Sequence, residues 1–139
     1  MRGVLHGLVA ETSRVAIVDL EAGLEHLSRG TARHVDTLLV VGEPYFKSLE
    51  TAHRSFMLAR DLGIPHIRMV ANKVRTPRDE ETARQFASRH GLDIAVVVPF
   101  DTAVTEADER GAALFEHRPD APSVAAIRRL ADRLLEAAA

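Results

Sequence analysis

Residues 37–74 read TLLVVGEPYFKSLETAHRSFMLARDLGIPHIRMVANKV. Thr37-Leu38-Leu39-Val40-Val41 is a continuous apolar run closed by Gly42-Glu43-Pro44. Such a run, rich in β-branched residues and bounded by turn formers, reads as a strand buried on both faces. Ser48 is placed to cap a helix whose apolar stripe is Leu49, Ala52, Phe56, Ala59 and Leu62. That helix stops at Gly63, with Pro65 just beyond. His66-Ile67-Arg68-Met69-Val70 is a second strand, running into Ala71-Asn72-Lys73. Strand, helix, strand implies a right-handed crossover and parallel pairing.

The pattern repeats on either side. Val15-Ala16-Ile17-Val18 is an apolar run ending at Asp19, and Ile94-Ala95-Val96-Val97-Val98 is one ending at Pro99. Thr76-Pro77-Arg78-Asp79 is a helix start: Thr76 caps, Pro77 takes the first helical position, and Asp79 stands three residues after the cap. Arg89 and His90 suit the last turn of that helix, and Gly91 follows it. A shorter helix is expected over Thr102 to Arg110. The last starts at about Ser123, with Val124, Ile127, Leu130 and Leu134 on one face. The fold class is therefore α/β, a mostly parallel sheet with flanking helices, in a single domain over residues 1–139.

Composition narrows the function classes. Hydrophobic residues make up 46% and charged residues 27%, the balance of a globular domain. No apolar run approaches the ~20 residues that span a bilayer. The opening MRGVLHGLVA is interrupted by His6 and Gly7 and reads as a lead into the first strand rather than a secretory signal. A net charge of −2 without a basic run gives no reason to expect nucleic acid or a membrane surface. With no cysteine, disulfides, thiolate zinc sites, iron–sulfur clusters and cysteine nucleophiles are excluded, and a cytoplasmic location is expected.

In parallel sheets, ligands sit beyond the carboxyl ends of the strands. Those ends here are Asp19 to Gly23, Gly42 to Pro44, Asn72-Lys73, and Pro99 to Asp101. Asp19 at a strand tip, with Gly23 four residues on, is the spacing of a magnesium-linked carboxylate and a phosphate-sensing amide; an Asp that merely ends a strand has the same look. The Asn72 carboxamide offers a donor and an acceptor to a purine edge, with the Lys73 stem beneath the ring; an Asn in a turn is the plainer alternative. Pro99 stops its strand and Asp101 either lines a base pocket or caps the next helix.

Taken in order, these stretches resemble the MinD/ParA/ArsA group of deviant Walker ATPases, and CooC-type carbon monoxide dehydrogenase maturation factors most of all. The resemblance rests on Asp19-Leu20-Glu21-Ala22-Gly23-Leu24-Glu25-His26-Leu27 with Arg29-Gly30-Thr31-Ala32, on Val35-Asp36, Glu43-Pro44, and Ser48 with Thr51-Ala52. It continues through Ala59 with Asp61-Leu62-Gly63-Ile64, Asn72-Lys73-Val74, Pro99-Phe100-Asp101, Glu106-Ala107-Asp108 and Gly111. It implies ATP and magnesium as cofactors. By this resemblance Asp19 is the magnesium-linked carboxylate and Gly23 the switch glycine. Asn72, with Lys73, reads the adenine, and the loop around Pro99 and Asp101 closes over it.

The chain departs from the group in one decisive way. A phosphate-binding loop needs G-x-x-x-x-G-K-[ST], or its deviant form, directly after a strand. Lys47 and Lys73 are the only lysines, and neither sits in such a loop. Lys47-Ser48 follows Gly42, but Glu43-Pro44-Tyr45-Phe46 intervenes without a second glycine. The resemblance begins almost at Met1, which leaves no room for a loop ahead of Val15. Asp19, Glu21 and Glu43 repel phosphate unless magnesium bridges them. The paired cysteines of CooC proteins have no counterpart, and no two of the seven histidines stand at i, i+4 to replace them.

The expectation is an ATP-binding accessory protein, or part of one, for metalloenzyme maturation that does not hydrolyse ATP by itself. In the group the phosphate-loop strand lies next to the Asp19 strand. Its absence exposes an apolar strand edge, so a homodimer is expected, or a partner chain supplying the phosphate-loop half, with a metalloenzyme client beyond. The alternative is a non-catalytic protein-interaction module derived from the same fold. A phospho-accepting receiver domain fails because the last strand ends in Pro99 without a lysine.

Overall fold

The computed structural model describes residues 15–19 and 34–138. Three strands form one parallel sheet in the order β1-β2-β3. They are β1 (Thr37–Gly42), β2 (His66–Val74) and β3 (Ile94–Pro99). The helices are α1 (Phe46–Asp61), α2 (Pro77–His90), α3 (Thr102–Glu109), α4 (Leu114–His117) and α5 (Pro122–Ala138). The short α4 carries no signature in the sequence. No helix among the described residues is long and apolar enough to cross a membrane.

The sheet is clothed on both faces, unequally. On one face Leu38 packs with Ala59 and Ile64, and Met69 packs with Leu49, Ala87 and Leu92. These contacts seat α1 and α2. On the other face, among the described residues, only α5 packs, through Ala126 and Leu130 against Val70, Ala95, Val96 and Val98, with Leu39 at the margin. Val41, two residues on from Leu39 and on the same face, is 59% exposed. The expectation that the first of these strands is buried on both faces is therefore corrected: α5 covers β3 and stops short of β1.

Both ends of α2 form as their local sequence predicts. Thr76 accepts from the Asp79 N–H, the Asp79 carboxylate accepts from the Thr76 N–H, and Pro77 opens α2. Gly91 closes α2 at φ 68°, the left-handed region that glycine enters without a Cβ penalty.

Two readings change. Ser48 does not cap α1, whose N-cap is Tyr45. Its hydroxyl instead accepts from the Glu43 N–H at 2.8 Å and ties the β1–α1 loop. On α5, Ile127 is 50% exposed, because the inward line runs through Ser123, Ala126 and Leu130, spaced three and four residues apart.

The run at residues 15–19 is a third correction. It forms no strand, and Val15, Ile17 and Val18 are exposed, Ile17 at 92%. Its composition favours a strand, but a strand needs a neighbour for its N–H and C=O groups. No described residue pairs with it.

Candidate functional site

Three chain reversals meet at the carboxyl edge of the sheet. β1 delivers Gly42-Glu43-Pro44, β2 delivers Asn72-Lys73, and β3 delivers Pro99-Phe100-Asp101. The middle one is irregular. Ala71 pairs with Val97 and Val74 with Pro99, so β2 spends one residue more than β3 over the same length. That extra residue is a bulge, and bulges re-aim side chains at the ends of sheets. Lys73 sits in it at φ 53°, the only non-glycine residue with positive φ among the described residues. A non-glycine residue held there costs roughly 1–3 kcal/mol, offset by its surroundings.

The surroundings are visible. Lys73 Nζ donates to Glu43 Oε1 at 2.9 Å, joining the ends of β1 and β2. Both side chains remain partly open to solvent, so the pair fixes geometry more than it adds stability. On the other side the Arg75 guanidinium lies 3.4 Å from the centre of the Phe100 ring, joining the ends of β2 and β3. The Phe100 N–H donates to the Val74 carbonyl at 2.8 Å. Asn72, half-buried between these two links, has a carboxamide with no partner among the described residues. A side chain with a free donor and a free acceptor, on a backbone braced from both sides, suits the edge of a planar heterocycle.

Asp101 does the plainer of its two expected jobs. Its carboxylate caps α3 by accepting from the Ala103 N–H at 3.0 Å. It also accepts from the Ser123 hydroxyl at 2.7 Å and the Ser123 N–H at 3.2 Å, which ties the start of α5 to the end of β3. The hydrogen bond from the Ser123 hydroxyl is the main reason its carboxyl titrates below the ordinary value. With these donors engaged, Asp101 positions the Pro99 loop from behind.

Of the remaining expected site residues, Asp19 is exposed and stands in no strand. Glu21 and Gly23 lie outside the described residues. Sequence reading missed Glu43 as the partner of Lys73, and Arg75 with Phe100 as a stacked pair; neither pairing has a fixed spacing to betray it. Among the described residues, no cluster of three or more His, Cys, Asp or Glu could hold a metal ion. The groove bordering these strand ends is about 210 Å³ and lies between α1 and α2, lined by Pro44, Tyr45, Phe46, Leu49, Thr82 and Phe86. That is below the ~300–1,000 Å³ of ordinary ligand sites.

No family model matches the chain. It is 37% identical over 119 residues to the carbon monoxide dehydrogenase accessory protein CooC of Rhodospirillum rubrum, covering 86% of this chain and 44% of that protein. It is 39% identical over 112 residues to an uncharacterized ATP-binding protein, MJ0823, of Methanocaldococcus jannaschii, covering 80% of this chain and 43% of that one. The chain thus spans less than half the length of these relatives. Among solved structures, the septum site-determining protein MinD of Pyrococcus horikoshii, complexed with Mg-ADP, superposes with a TM-score of 0.73 at 18% identity. The superposition covers 96% of this chain and 56% of MinD. A ParA family ATPase of Chlorobium tepidum gives 0.65 at 24% identity, over 76% of this chain and 44% of that one. At these identities the superpositions establish the shared fold.

Proposed function

The chain belongs to the MinD/ParA-type ATPases related to CooC and covers the C-terminal part of that fold, and from this we propose that it is the base-facing part of an ATP-binding accessory module for metalloenzyme maturation. It does not hydrolyse ATP alone. The observation that carries the reading is the Asn72–Lys73 bulge: a strained backbone at a strand end, braced by Glu43 and by the Arg75–Phe100 stack, presenting a carboxamide with no partner among the described residues.

The described residues fit a nucleotide on one side only. The base side has the carboxamide and a stacked aromatic. The phosphate side has no amide-lined glycine loop, and Lys73 is already paired with Glu43. A triphosphate carries several negative charges, and bulk water screens them better than this surface does. ATP therefore binds tightly only where further groups supply that cage, and magnesium enters with them. In this reading Asp19 and Glu21 approach the magnesium and Gly23 the terminal phosphate. The partner is a polypeptide bearing the phosphate loop, or a second copy, and the metalloenzyme is the client.

The alternative, a non-catalytic interaction module, is favoured by one observation: large apolar side chains such as Phe46, 75% exposed, and Phe115, 61% exposed, stand open on the surface. Adenosine separates the two readings, because it has no phosphates. Titrating it to millimolar concentration should shift the amide resonances of Asn72, Lys73 and Phe100, and Asn72→Ala should abolish the shifts. Uniform silence at these amides in the parent chain refutes the base-facing reading and leaves the interaction module.

A further inference from the structure

Where α1 and α2 meet, two histidines stack. His53 stands in the middle of α1, and His90 is the last residue of α2. Their ring centroids are 4.1 Å apart, with the planes tilted by 43°. Phe86, one turn before His90, backs both rings, its centroid 4.3 Å from that of His90 and 6.3 Å from that of His53. Phe86 is itself packed on the cluster of Leu49, Met69, Ala87 and Leu92, which anchors the pair. Packing of this kind asks only for rings, and phenyl groups would serve it. The imidazole nitrogens are what packing leaves unexplained. None of them has a hydrogen-bond partner among the described residues. Unlike Nε2 of His117, which is buried and orphaned beside Glu106, none of them is sealed from solvent by those residues.

We propose that His53 and His90 form a two-imidazole site for a divalent transition-metal ion that links α1 to α2. Imidazole nitrogen suits copper and zinc. With metal–nitrogen bonds of about 2.0–2.1 Å, two cis nitrogens stand roughly 3 Å apart. Ring centres already 4.1 Å apart reach that spacing by side-chain rotation on fixed helices. The field at the site also favours a cation. His90 lies at the carboxyl end of α2, the negative end of its dipole. Glu50, one turn before His53 on α1, is half-buried and has no ion pair or hydrogen bond among the described residues. At i, i+3 its carboxylate shares a flank of α1 with His53 and adds negative charge there. It is not gathered with the histidines into a group of three, so water completes the coordination sphere. The sequence conceals the pair because the histidines come from different helices and only helix packing joins them.

Two protein ligands give an affinity of roughly micromolar to tens of micromolar, well short of a four-ligand zinc site. The proposal is independent of the nucleotide reading, since it concerns the α1–α2 seam and not the strand ends. Its test uses the full chain and Cu2+ alone, the tightest-binding of the first-row divalent ions. Substoichiometric Cu2+ is paramagnetic and should broaden the amide resonances flanking His53 and His90 before those flanking the rest of the seven histidines. Calorimetry should give one strong site per chain. His53→Phe and His90→Phe keep a ring in the stack but remove a ligand, and each should weaken binding at least about tenfold. Glu50→Gln should weaken it less, and His66→Asn, at the start of β2, should leave it unchanged. Broadening in the parent chain locates the site without any substitution, so a variant that unfolds does not shelter the proposal. Broadening spread evenly over the histidines or centred elsewhere overturns it. So does copper binding that both phenylalanine variants retain, or none tighter than about millimolar in the parent.

Discussion

Met69→Ala should lower the unfolding free energy by about 2–4 kcal/mol, read from urea denaturation as a fall in midpoint with an unchanged slope. Met69 is fully buried on the central strand and packs with Leu49, Ala87 and Leu92, where α1 and α2 meet the sheet. Its truncation leaves a cavity that strands and helices cannot close together, and domains of this size have only about 5–15 kcal/mol in all. A partner variant sharpens the test. A Cβ added at Gly42 meets Met69 Cε at 3.1 Å and Ala52 Cβ at 3.3 Å. Gly42→Ala should therefore destabilise the parent but cost less in the Met69→Ala background, where the first contact is gone. A loss under ~1 kcal/mol for Met69→Ala would mean the three-element junction is not the core.

Asp101→Ala should be the most damaging polar substitution. Three donors lose their acceptor at once: the Ala103 N–H, the Ser123 N–H and the Ser123 hydroxyl. Hydrogen bonds to a charged group and a lost helix cap together suggest about 2–3 kcal/mol. The pH dependence has a definite sign. The carboxyl titrates below its ordinary value in the folded chain, chiefly because of the Ser123 hydroxyl. Its stabilisation is thus complete above the unfolded-state pKa, and it drains away as pH falls through the depressed folded-state value. Asp79 is also depressed, first through the Arg75 N–H, and acts in the same direction. Asp101→Ala should flatten the acid limb of a stability profile, and Ser123→Ala should flatten it in part. An acid limb unchanged in Asp101→Ala contradicts this assignment.

The sequence made the α/β alternation, the parallel sheet and the α2 caps legible, because each is written within a few neighbouring residues. Thr76, Pro77 and Asp79 need only one another. What stayed hidden depends on distant partners. Asn72-Lys73 was visible as a strand ending, but the bulge that strains Lys73 arises from pairing with β3, and the Lys73–Glu43 contact spans 30 positions. Asp101 offered a cap or a pocket wall; the cap is local, but the two hydrogen bonds it accepts from Ser123 come from 22 positions away on α5. Val15 to Val18 look as strand-like as β3, yet no described residue pairs with them. Ile127 fits an apolar stripe as well as Ala126 does, but the sheet lies under Ala126.

Isothermal titration of the 139-residue chain with Mg-ATP, with phosphate release followed alongside, bears most directly on the claim that this polypeptide keeps the purine wall without the phosphate cage. We expect heats that give no binding tighter than about millimolar, the level at which only ~4 kcal/mol of association free energy remains, and no phosphate release above buffer. Micromolar binding accompanied by turnover would contradict the account, because these residues would then be holding and cleaving the triphosphate themselves.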